Sequence, residues 1–112
     1  MKINEFAVQP ENKLNFDIID DTIVFMRNDP QFYRKAYYPA VMKLADSYTA
    51  EEINTDSILG SMVDQGMNTY CKKFNVAKSP AEIFTLEDRN AIISRIAEEE
   101  LDQIRQGAYQ WD

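Results

Sequence analysis

Asp29-Pro30-Gln31-Phe32-Tyr33-Arg34-Lys35-Ala36-Tyr37-Tyr38-Pro39-Ala40-Val41-Met42-Lys43 is the stretch on which the fold turns. Four aromatics alternate with three cations. Single-strand nucleic-acid binders interleave the same groups, because bases stack and phosphates pair. The spacing supports a different reading. Asp29 before Pro30 is a helix cap followed by proline at the first helical position, where its missing N–H costs nothing. From there Tyr33, Tyr37, Ala40 or Val41, Leu44 and Tyr48 recur at helical spacing and predict a helix to about Tyr48. Arg34, Lys35 and Lys43 fall largely on other faces. The aromatics therefore read as a core stripe with a solvated basic flank. Pro39 lies inside this helix. It removes one backbone bond and crowds the preceding turn, so a kink or break is expected near Tyr38.

Residues 15–28 predict a helix upstream. Asn15 or Asp17 can cap it, and Asp17, Asp20 and Asp21 suit the positive end of the helix dipole. Ile19, Ile23 and Met26 form one stripe with Phe16 above it. Ile18, Val24 and Phe25 widen that stripe, so this helix is expected to be central. Residues 1–14 read as an N-terminal arm, with Ile3, Phe6 and Val8 as apolar anchors and Pro10 opposing a helix.

Downstream, Thr49-Ala50-Glu51-Glu52 is a capping box. A further helix is expected from about Asp56, with Ile58, Leu59, Met62, Val63, Met67, Tyr70, Cys71 and Phe74 on its apolar face. Gly60 and Gly66 would let a neighbouring backbone approach closely. Ser79-Pro80-Ala81-Glu82 opens a short turn ending near Phe84. Thr85 to Asp88 caps the last helix, whose stripe is Leu86, Ile93, Ile96 or Ala97, Leu101 and Ile104. Gly107 stops it. The expected fold is all-α: one compact, bundle-like domain of four main helices over residues 15–107, the second kinked or broken near Pro39, with a C-terminal tail over 108–112.

Composition agrees with this. A chain of 112 residues is one domain by default. Three glycines and four prolines are few for an all-β fold, which needs many tight turns. No apolar run reaches the length of a membrane span. Met1 to Phe6 lacks the apolar core of a secretory leader, so a cytoplasmic location is expected. The chain has no histidine and one cysteine. That removes Ser-His and Cys-His nucleophiles, His-ligated zinc and clusters held by several thiolates. No phosphate-cradling glycine motif is present. The chain therefore reads as a non-enzyme with no cofactor and no small-molecule substrate.

The acidic clusters need separate weighing. Asp17, Asp20 and Asp21 on one helix and Glu98 with Asp102 on another resemble the way helical bundles hold divalent cations. Such sites add Glu-x-x-His pairs, which this chain lacks, and acids in a first turn already answer to the dipole. No metal is expected. Glu98 to Glu100 reads as a solvated face supported by an Arg95–Glu99 pair. Cys71, on an apolar stripe, reads as a buried inert thiol.

Net charge is −7, which disfavours broad binding to nucleic acid. The charge is uneven. Residues 22–45 carry Arg27, Arg34, Lys35 and Lys43 against Asp29 alone, and residues 72–78 carry Lys72, Lys73 and Lys78. Such asymmetry points to steered contacts with a protein partner or a second copy. The only tryptophan, Trp111, lies beyond the helix stop beside Tyr109, and this pair is of the type that anchors interfaces, unless Trp111 folds back on its own bundle. The candidate partner-binding residues are thus Arg27, Arg34, Lys35, Lys43, Tyr109 and Trp111. A protein-interaction role is the leading expectation. A small acidic inhibitor of a nucleic-acid-processing protein is the alternative, and a nucleic-acid-binding accessory a third.

Residues 18–35, with Ile18-Ile19-Asp20-Asp21-Thr22 and Asn28-Asp29-Pro30-Gln31-Phe32-Tyr33, resemble small proteins encoded by large T4-like tailed phages. So do Glu87-Asp88-Arg89-Asn90-Ala91-Ile92-Ile93 and Gly107-Ala108-Tyr109. The resemblance implies no activity and no functional residues. It implies a virion component or a host-directed accessory, placed in the host cytoplasm or the virion.

Overall fold

Asp29 and Pro30 do what their local chemistry dictates. The computed structural model describes residues 16–50 and 54–107. The arm over 1–14, Glu51 and Glu52 of the expected 49–52 box, and the tail with Tyr109 and Trp111 lie outside the described residues, and residues 49 and 50 end the helix that precedes them. In chain order the elements are α1 (Phe16–Asn28), α2 (Pro30–Phe32), a π-turn (Tyr33–Tyr37), α3 (Tyr38–Ala50), α4 (Thr55–Phe74), a 3-10 turn (Pro80–Glu82) and α5 (Leu86–Arg105). No strand occurs among the described residues.

Asp29 takes an extended conformation that ends α1, and its carboxylate accepts the Phe32 N–H at 3.0 Å. From Pro30 the chain is helical without interruption to residue 50. The kink at Pro39 takes the form of the π-turn. The Tyr38 N–H donates to the Tyr33 carbonyl, one residue further back than in an α-helix. Pro39 has no N–H for the Lys35 carbonyl and its ring would crowd that carbonyl, so a wider turn relieves both conflicts.

The other boundaries are also local. Asn54 caps α4 by accepting the Ser57 N–H at 3.0 Å, two residues before the expected start. Asn75, at φ 53°, closes α4 in the left-handed region that Asn tolerates. Thr85 and Asp88 form a reciprocal capping box, and Gly107, at φ 85°, ends the last helix. Ser79 departs from expectation and caps nothing with its side chain. The Glu82 N–H it would have served is taken by its own carbonyl, and Glu82 accepts the Lys78 N–H at 3.2 Å instead.

α4 packs against α1, α3 and α5. The core between them holds Ile19, Ile23 and Met26 of α1, Val41 and Leu44 of α3, Leu59 and Val63 of α4, and Ile92 and Ile96 of α5. Each such side chain contributes about 1.5–3 kcal/mol relative to exposure. The opening stretch resolves in favour of core. Phe32 and Tyr37 are buried beside Val41 and Leu44, while Arg34, Lys35 and Lys43 are exposed. Leu86 was expected in the α5 stripe but is exposed, because it sits on the first turn and Phe84 of the preceding turn fills the core there. Gly66 admits side chains, not a backbone. A Cβ on it would lie 2.2 Å from Met26 Sδ and 3.3 Å from Phe32 Cζ.

Candidate functional site

The cations expected to act as one flank divide into two sets. Arg34, Lys35 and Lys43 make no ion pair among the described residues. Arg27 turns inward. Its guanidinium meets Glu99 at 2.8 Å and Glu100 at 3.5 Å, and its Nε–H donates to the Tyr37 hydroxyl at 2.7 Å. The Tyr37 O–H in turn donates to Glu100. α1 and α5 are further joined by Asp20, which pairs with Arg95 at 2.5 Å. Burial opposes the charge on Arg27, but hydrogen bonds to Tyr37 and Glu99 and the field of Glu100 hold its pKa above the ordinary value. Burial first, then the bond to Glu100, push the Tyr37 pKa far up, so it stays a neutral donor. Arg27 therefore belongs to a structural network that locks α1, the π-turn and α5 together. Glu100 belongs there too. It leaves the solvated face assigned to Glu98–Glu100, while Arg95 and Glu99 do meet, at 3.8 Å.

The acids do not converge. Among the described residues no group of three or more Cys, Asp or Glu is placed to hold a metal ion. Asp56 and Asp64 are both engaged by Arg89, at 3.3 and 2.7 Å. Cys71 is buried, and burial followed by the nearby Glu82 raises its thiol pKa.

One surface feature is not explained by folding. The α1–α4 seam opens into a groove of about 530 Å³ lined by Asp21, Val24, Phe25, Tyr70, Phe74 and Val76. Its floor is a packed aromatic cluster. Phe25 meets Phe74 edge-on with centroids 5.7 Å apart, and Tyr70 lies 5.1 Å from Phe74 and 6.3 Å from Phe84. The groove is open to solvent: Val24 is 56% exposed, Val76 48%, and Phe74 of the aromatic cluster 53%. Burial, then the field of Asp21, raise the Tyr70 pKa above its ordinary value. Lys73 braces one end, bonding Asp29 at 2.6 Å and lying 5.9 Å from the Phe25 ring centre. Beside it the turn after α4 forms a second, polar hollow lined by Lys72, Asn75, Val76, Lys78 and Glu82 among others.

Sequence reasoning counted Val24, Phe25, Tyr70 and Phe74 as core. The available signal was the excess width of the apolar face of α1, more than its neighbours cover. Fold and site together define a small helical bundle with an open aromatic groove on one flank. No family model, curated protein or solved structure matches the chain. Among the described residues no helix is long and apolar enough to cross a membrane.

Proposed function

We propose that this is a non-enzymatic interaction protein that docks a protein partner in the α1–α4 groove. The observation that carries the reading is the contiguous, half-exposed set Val24, Phe74 and Val76, with Phe74 packed against Phe25 and Tyr70. Scattered exposed apolar side chains are ordinary, but a contiguous set in a concave site marks an interaction surface. Open walls enclose little of a small molecule, which pockets normally bury by about 70–90%. The exposed Arg34, Lys35 and Lys43 supply a second, electrostatic face. The resemblance to tailed-phage proteins favours a virion or assembly accessory as the setting.

The test is a pull-down of tagged chain from its native cell or virion, with mass spectrometry of what is retained. Wild type is expected to retain a partner that both Val24→Asp and Phe74→Ser release. Retention by both variants would refute the groove as the docking surface.

A further inference from the structure

Resting on that reading, we infer that the groove receives a short helical segment of a partner protein, with apolar anchors on one face and carboxylates along one flank. Three observations select this occupant. The walls are α1, α4 and the turn after α4, and no strand edge borders them among the described residues, so the groove suits a helix laid between α1 and α4. In that mode anchors recur at i, i+4 and i+7 and enter apolar pockets. Second, the lips differ in charge. The polar hollow holds Lys72 and Lys78, which make no side-chain ion pair among the described residues, against the single carboxylate of Glu82, so this lip is net basic; Lys73 is already neutralised by Asp29. Third, the opposite lip carries Asp21. A bound helix is therefore oriented with its carboxylates over the 72–78 turn and an uncharged or basic edge over Asp21. Complementary rim charges of this kind set orientation and on-rate more than raw affinity.

Aromatics beside lysines also suit single-stranded nucleic acid. Here Asp21 in the groove and a net charge of −7 repel phosphates, which favours the peptide.

The test uses the full chain and three probes: a fluorescein-labelled helical peptide of about 14 residues with Leu and Phe at i, i+4 and i+7 and Glu along one flank, the same peptide with Lys for each Glu, and a dT oligonucleotide. Anisotropy gives affinity and amide chemical shifts give location. The Glu peptide is expected to bind roughly tenfold more tightly than its Lys twin. Its shifts should centre on Tyr70, Phe74 and Val76, and binding should weaken as salt screens the lysines. The double variant Lys72→Glu, Lys78→Glu should reverse the preference, with circular dichroism showing intact helices. Equal binding of both peptides in the groove overturns the acidic partner yet leaves the docking reading standing. Failure of both peptides to move groove resonances overturns both. Preferential binding of the oligonucleotide there overturns the peptide, and groove resonances that move on diluting the chain alone identify a second copy as the occupant instead.

Discussion

Tyr37 is the residue on which the two readings of the opening stretch diverged, and its hydroxyl shows what the core needs from it. The ring is 1% exposed, and the O–H joins Arg27 to Glu100. Tyr37→Phe keeps the ring but removes the hydroxyl from a buried polar site. Stability should fall by about 1–3 kcal/mol, read by urea unfolding. The pH dependence has a definite sign. The folded-state pKa lies above the ordinary value of 10.0, so this stability is complete below pH 10 and is lost as pH rises beyond it. Wild type should therefore weaken more steeply above pH 10 than Tyr37→Phe. That Tyr37 is core was legible from its spacing with Val41 and Leu44. That Glu100 is its acceptor was not, because the partners are 63 positions apart and a run of three glutamates carries no sign of which one turns inward.

At the scale of elements, boundaries set by adjacent residues were legible and the packing between helices was not. Asp29-Pro30, Thr85 to Asp88 and Gly107 end or begin helices through bonds to their own neighbours. Pro39 announced a disturbance, but not its form, a π-turn flanked by the buried Phe32 and Val41. The two glycines of α4 looked alike in sequence and differ in what faces them. A Cβ at Gly60 meets the Arg89 guanidinium at 2.9 Å, the far end of a long side chain. A Cβ at Gly66 meets Met26, which is fully buried and packed. Gly60→Ala should therefore gain up to about 1 kcal/mol in helix propensity, less whatever Arg89 loses by shifting. Gly66→Ala should lose about 1–3 kcal/mol through overpacking. Thermal melts of the two variants should move in opposite directions.

At the scale of the whole molecule, the described residues join a buried core to a flank where Val24, Phe74 and Val76 are half-exposed. The bundle was legible because four amphipathic stripes with caps between them have few other ways to bury themselves. The groove was hidden because Val24, Phe25, Tyr70 and Phe74 satisfy the same periodicity as core residues. Only the packing of α1 on α4 shows which side of each stripe is left uncovered. The docking surface proposed at the seam beside Lys72 and Lys78 stands in addition to the exposed Arg34, Lys35 and Lys43, while Arg27 is engaged by Glu99, Glu100 and Tyr37. The most direct measurement places a photo-cross-linking amino acid at Val24 in one variant and at Lys35 in another, each illuminated in the native cell. Adducts to a protein from position 24, strong beside those from position 35, are the predicted result. Protein adducts from position 35 alone, or nucleic acid as the product at position 24, would contradict it.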